Sequence, residues 1–320
     1  MKKRAIKIIN IILPLLLGVF FIYYAYQQFT TEQLNDIFVH FKAANYSFIV
    51  VASFFSLLSL WARAKRWNYA LKYLGYQPST VTNFLAICIG YLLNLTIPKS
   101  GEFSRALVVQ KYKEVPFDKG FGTIVSERVI DLCCLLGCVL LALMLQYATL
   151  KDFLMKYVSW QQLTVLFFGG CFLLLLFFLI YKYSSWSFLL KLRRKVSGFI
   201  QGVASIFQMP YRLAFLFYTF LIWGGYIATF YFGMFAVEET SDLPFSIVMA
   251  AFVAGSFAVS FTNGGVGAFP LIIAELLSLF GISTVAGTAF GWILWGTQTS
   301  IVIILGALSF FVLPLLYKRN

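Results

Sequence analysis

Six ionisable side chains fall within or beside stretches otherwise fit for hydrocarbon: Lys99, Glu102, Glu127, Arg128, Asp131 and Glu275. Arg105 follows one turn after Glu102. A charge at the centre of a bilayer costs about 2.5–3.5 kcal/mol, so each must pair or face water. Glu102 and Arg105 are spaced i,i+3. Glu127 and Asp131 are i,i+4 on one helix face, with Arg128 beside it. Two carboxylates at that spacing repel unless an arginine, another cation or a proton lies between them. One reading is a polar site in the middle of the membrane. The other is a set of buried ion pairs that locks a helix bundle. Charges inside a membrane favour the first as the working hypothesis. Glu275 stands apart near an outer edge, where it could snorkel to water.

Two breaks in the apolar sequence adjoin these charges. Pro98-Lys99-Ser100-Gly101 interrupts the run 81–97, and residues 102–113 return. Thr262-Asn263-Gly264-Gly265-Val266-Gly267 interrupts 244–261, and residues 268–280 return. Proline cannot continue a helix and glycine permits a turn. The returning half-helices would begin after Gly101 and Gly267, with their amino ends toward the midplane. Each would offer unpaired N–H groups and a partial positive charge. Lys99, Arg105 and Arg128 add full positive charges. An anion, and above all a phosphate, suits such a place, and a lipid phosphate that must cross the bilayer is the natural ligand. The carboxylates could receive an amine or sugar hydroxyls, or carry a proton, with Glu127 or Asp131 the first to test. The substrate-binding candidates are therefore Lys99, Gly101, Glu102, Arg105, Glu127, Arg128, Asp131, Asn263, Gly264, Gly265, Gly267 and Glu275.

The elements that must position these residues follow from composition. The chain has 320 residues, 61% hydrophobic and only 12% charged. A water-soluble fold cannot hide that much apolar surface, which leaves an integral membrane protein. Its net charge of +13 then concerns membrane orientation rather than nucleic acid. Cys88, Cys133, Cys134, Cys138 and Cys171 all lie in apolar runs and read as small buried residues. With His40 the single histidine, neither a metal site nor a histidine-based triad is expected. No Walker A pattern is present, and no cofactor is implied. Transport would run downhill or draw on ion or proton movement.

Apolar runs of about 20 residues mark candidate spans. Six full spans are expected, at 8–29, 44–62, 120–147, 161–182, 212–236 and 284–316. The first exceeds a signal-peptide core of about 7–15 residues and lacks a cleavage site, so it is read as retained. Basic clusters occur at 2–7, at Arg63/Lys65/Arg66/Lys72, at Arg105/Lys111/Lys113/Lys119, from Lys182 to Arg212, and at Lys318/Arg319. The positive-inside rule places them, and both termini, on the cytoplasmic side of the cell membrane. The second and third clusters can share that side only if 81–113 enters and returns. Residues 244–280 would do so from the opposite face. The expected fold is one all-α polytopic membrane domain over 1–320: six transmembrane helices plus two oppositely oriented re-entrant hairpins, an inverted-repeat arrangement. Residues 186–209 carry Leu189, Leu192, Val196, Phe199, Val203 and Ile206 at helical spacing, and read as an amphipathic helix on the cytoplasmic surface.

The segment Pro98-Lys99-Ser100-Gly101-Glu102-Phe103-Ser104-Arg105 resembles the Pro-x-x-Gly-Glu-x-x-Arg motif of the lysylphosphatidylglycerol synthase transmembrane-region family. Glu127-Arg128-Val129-Ile130-Asp131 resembles its Glu-Arg-x-x-Asp motif, and Gly264-Gly265-Val266-Gly267-Ala268-Phe269 its late glycine-rich segment. Order and spacing agree over nearly the whole chain. Asn263 stands where many members have proline, and Ala268 where a charge is common. The resemblance implies a flippase-like fold, acting on an aminoacyl-phospholipid, a polyprenyl phosphate or a glycolipid. Synthase activity is not expected, since the soluble aminoacyl-transfer domain is not among these residues. The expected partners are anionic membrane lipids, with a homo-oligomer or an envelope-biosynthesis partner possible and no nucleic acid. The alternatives are a membrane-embedded transferase for polyprenyl-phosphate-linked substrates, or a structural component of a cell-envelope complex.

Overall fold

The computed structural model describes residues 23, 27, 29–97, 99–147, 209–262 and 264–317. The expected span 161–182, the 8–29 span apart from Tyr23, Gln27 and Phe29, the surface helix 186–209 apart from Met209, and Pro98, Asn263 and Cys171 lie outside these residues. The described residues form helices and no strands: α1 (Thr31–Ala43), α2 (Tyr46–Tyr73), α3 (Thr80–Thr96), α4 (Ser100–Lys113), α5 (Phe117–Leu145), α6 (Arg212–Met234), α7 (Glu238–Ser241), α8 (Phe245–Phe261), α9 (Ala268–Ser278) and α10 (Thr284–Leu316).

Four of these, α2, α5, α6 and α10, are long and apolar enough to cross a membrane, and they match four of the six expected spans. Their outward faces carry large apolar side chains, among them Met144 at 75% exposure and Phe220 at 83%. Such faces suit lipid and not water. Cys133 shares this exposure, so of the four described cysteines Cys88 and Cys138 are buried, Cys134 half-buried and Cys133 not. The sequence reading had buried them all.

Helix α2 runs eleven residues past its expected end at 62. No glycine or proline interrupts it until Gly75, whose φ of 90° turns the chain. The extension carries Arg63 and Arg66 into the interior, where they are 2% and 0% exposed. The expected span 44–62 stops short of both. The missing information is that guanidiniums ending an apolar run can stay within the helix when carboxylates face them.

Both expected breaks are present. Helix α3 ends at Thr96, Lys99 adopts a left-handed φ of 61°, and α4 begins at Ser100. The two arms pack backbone to backbone: a Cβ on Gly101 would lie 2.5 Å from the Gly90 carbonyl oxygen. Asn94 Oδ1 accepts the Gly101 N–H at 2.7 Å and ties the arms together. In the second hairpin, Gly264, Gly265 and Gly267 take φ of 70°, 82° and 68°, so the chain turns where only glycine does so cheaply. Trp295 on α10 donates its indole N–H to the Gly264 carbonyl at 2.7 Å. The two breaks touch: a Cβ on Gly264 would lie 3.1 Å from Leu95 Cδ2.

The order long helix, 17-residue helix, returning helix, long helix occurs twice, as α2–α3–α4–α5 and as α6–α8–α9–α10. The helices of first rank run antiparallel. Asn45 N–H bonds the Ala236 carbonyl, Thr229 Oγ1 the Ala52 carbonyl and Ser59 Oγ the Ile222 carbonyl. The halves are therefore inverted relative to one another, and their packing is reciprocal: α3 lies on α10, and α8 lies on α5.

Candidate functional site

The charges gather where α2, α4 and α5 meet. Because α2 continues to Tyr73, Arg63 and Arg66 face α5 one turn apart. Arg63 Nη1 donates to Asp131 Oδ2 at 2.9 Å and Arg66 Nη1 to Asp131 Oδ1 at 2.8 Å, so both carboxylate oxygens are taken. Arg66 Nε also lies 3.6 Å from Glu127 Oε1. Arg66 is thus the arginine between the two carboxylates, the arrangement their spacing required. Arg105, on the returning arm of the first hairpin, donates to Glu127 Oε2 at 3.0 Å. Its guanidinium carbon sits 4.3 Å from the Trp67 ring centroid, a favourable cation–π distance. Helix α6 closes the site: Tyr226 OH accepts from Arg63 at 2.9 Å, and Thr219 Oγ1 from Arg66 at 3.2 Å.

These five side chains are buried, Asp131 being the most exposed at 8%. The edge of the cluster is more open. Arg128 lies 3.9 Å from Glu102 and 3.7 Å from Asp131, with side-chain exposures of 38% for Arg128 and 26% for Glu102. Four guanidiniums (Arg63, Arg66, Arg105, Arg128) thus face three carboxylates (Glu102, Glu127, Asp131), an excess of one positive charge, 4 − 3 = 1. Among the described residues, the cluster atoms Arg63 Nε, Arg66 Nε and Nη2, Arg105 Nε, Arg128 Nε, Glu102 Oε2 and Glu127 Oε1 are buried without a hydrogen-bond partner. A cluster with spare donors and net positive charge is chemically suited to an anion that brings several acceptor oxygens.

The structure sorts the expected residues. Glu102, Arg105, Glu127, Arg128 and Asp131 come together, with partners other than those spacing suggested: Arg105 serves Glu127, and Glu102 faces Arg128. Lys99 is exposed at the turn of the first hairpin, and Gly101 is buried beneath it. Gly264, Gly265 and Gly267 form the second turn, which meets the first hairpin at Leu95. Glu275 is exposed on α9, outside the cluster.

The amino ends of the half-helices differ from expectation. In the first, the Ser100 and Gly101 N–H groups go to the Ile97 carbonyl and Asn94 Oδ1. In the second, Ala268 and Phe269 bond the Val266 and Gly265 carbonyls, and Pro270 has no N–H. Most of those donors are spent within the turns, so the guanidiniums rather than the helix ends supply the positive field.

The fold and site define a class: a multi-pass α-helical membrane protein built as two inverted halves, with a buried arginine–carboxylate cluster in the first. The chain belongs to the family described as lysylphosphatidylglycerol synthase TM region, which matches residues 11–306. A UPF0104 membrane protein of Methanocaldococcus jannaschii is 28% identical over 159 residues, which cover 49% of this chain and 45% of that protein. The match thus spans about half of each. No solved structure matches the chain.

Proposed function

We propose that the protein carries a phosphate-bearing anionic lipid across the cytoplasmic membrane, as a flippase or transporter rather than as an enzyme. The excess positive charge of the first-hairpin cluster carries this reading, and membership of a lipid-related membrane family supports it. The two layers of charge divide the work. Arg63, Arg66, Arg105, Glu127 and Asp131 pair with one another and hold α2, α4 and α5 in register, as a structural lock would. Arg128 and Glu102, half-open and loosely paired, are free to exchange partners. A lipid phosphate replaces Glu102 on Arg128, and the released carboxylate receives the cationic or hydroxyl-bearing part of the head, or a proton. Glu102, with a side chain 26% exposed against 0% for Glu127 and 10% for Asp131, suits that role better than the two carboxylates buried among guanidiniums. The hairpins are re-entrant in this reading, entering from opposite faces, and both termini are cytoplasmic.

Reconstituted vesicles test it. The wild-type protein should move fluorescent phosphatidylglycerol between leaflets faster than fluorescent phosphatidylcholine. Arg128→Gln should slow the anionic lipid at least tenfold while the protein stays monodisperse. A folded Arg128→Gln variant working at the wild-type rate would overturn the proposal.

A further inference from the structure

The repeat offers a position-by-position comparison that neither half gives alone. Helix α5 starts at Phe117 and α10 at Thr284, a shift of 284 − 117 = 167. That shift lays Glu127-Arg128-Val129-Ile130-Asp131 on Leu294-Trp295-Gly296-Thr297-Gln298. Contacts follow the same shift. Asp131 lies 3.5 Å from the indole nitrogen of Trp223 on α6. Its counterpart Gln298 accepts, through Oε1, from the hydroxyl of Ser56 on α2, and 56 + 167 = 223. Arg128 sits against the first hairpin at Glu102, and its counterpart Trp295 bonds the second hairpin at Gly264. The second half therefore repeats two of the site's contacts, with uncharged residues at the positions of Glu127, Arg128 and Asp131.

One feature of this neutral copy stands unanswered within it. Gln298 Oε1 is engaged by Ser56, yet Gln298 Nε2 is buried with no partner among the described residues. An amide NH2 shut away in a membrane interior is costly without an acceptor. It also connects to the charged site. Ser56, Ser59, Arg63 and Arg66 recur at steps of three, four and three along α2 and share one face. Ser56 and Arg63 are seven residues apart, roughly 10 Å along the axis. The amide and the guanidiniums thus mark two points on one polar track.

We propose that Gln298 is a second, uncharged station for the lipid head: its amide nitrogen donates to a hydroxyl or other neutral oxygen of the head group and so selects heads that carry one. This rests on the lipid-carrier reading. Among the described residues no cation pairs with Gln298, and the Ala268, Phe269 and Leu271 N–H groups of the second half-helix are bonded within the turn, so this half reads the neutral part of the head while the first half reads the phosphate.

The test is binding of two short-chain lipids to the purified full chain. Dihexanoyl phosphatidylethanol and dihexanoyl phosphatidylglycerol share tails and a single negative charge, and differ in the hydroxyls. Wild-type protein should prefer the phosphatidylglycerol by about three- to tenfold, the worth of one or two hydrogen bonds. Gln298→Leu should erase that preference and leave phosphatidylethanol affinity within about twofold. Ser56→Ala, which frees the anchored amide, should reduce the preference and serves if Gln298→Leu fails to fold. A wild-type protein without preference, or a Gln298→Leu variant that keeps it, overturns the station. Arg128→Gln should weaken both lipids alike; if it binds both as wild type does, the carrier reading itself fails.

Discussion

At the scale of residues, five buried charges hold one another and their balance is tight. Asp131 neutralises two guanidiniums that are 2% and 0% exposed. Asp131→Asn would leave the buried Arg63 and Arg66 with Glu127 as the remaining carboxylate nearby, and Tyr226 and Thr219 as neutral acceptors. Removing one partner of a buried ion pair costs about 3–5 kcal/mol. Thermal unfolding in detergent should show Asp131→Asn as a severe loss of stability, partly restored when Arg63→Gln is added. A stability equal to wild type would mean that the cluster is hydrated and the pairing unimportant. Glu102, Arg105, Glu127, Arg128 and Asp131 were legible in the sequence because a charge within an apolar run has to be explained. Arg63 and Arg66 were not, because they end a run and share a stretch with Lys65 and Lys72, which read naturally as loop. Only the absence of a helix breaker before Gly75 signalled that the helix continues past them.

At the scale of elements, the hairpins were legible because proline and glycine interrupt otherwise uniform apolar sequence. Their internal bonding was not. Nothing in composition says that Asn94 reaches across to the Gly101 N–H, or that the turn at Val266–Phe269 consumes its own donors. Long-range partners of that kind depend on the approach of two arms, and the close contact at Gly90 and Gly101 sets that approach. Gly101→Ala would place a methyl 2.5 Å from the Gly90 carbonyl and 2.6 Å from Asn94 Nδ2. Overpacking of this sort costs about 1–3 kcal/mol, and here it also pries the cap loose. Gly137→Ala, where nothing lies within 4 Å, should be neutral or stabilising. Melting temperatures of the two variants compared with wild type check this, and equal effects would show that the arms are not in contact.

At the scale of the whole molecule, two inverted halves place the hairpin that bears Glu102 and Arg105 beside one whose arms carry a single ionisable residue, the exposed Glu275. The repeat was readable from the sequence through its two apolar runs, each broken at glycine and each followed by a returning segment. The reciprocal packing of α3 on α10 and α8 on α5 was not, because the halves share almost no residues that would reveal it. Inverted repeats let one site be reached from either face by exchanging the conformations of the halves. In the proposed carrier such an exchange would be unequal, since the guanidiniums of the cluster, Arg63, Arg66, Arg105 and Arg128, all belong to the first half. That asymmetry is tested most directly by asking which lipid, if any, stays with the extracted protein. Native mass spectrometry of gently extracted wild-type protein should show a retained phosphate-bearing anionic lipid, and Arg128→Gln protein should lose it. The same lipid on both proteins, or a zwitterionic lipid alone on the wild type, would contradict the central claim.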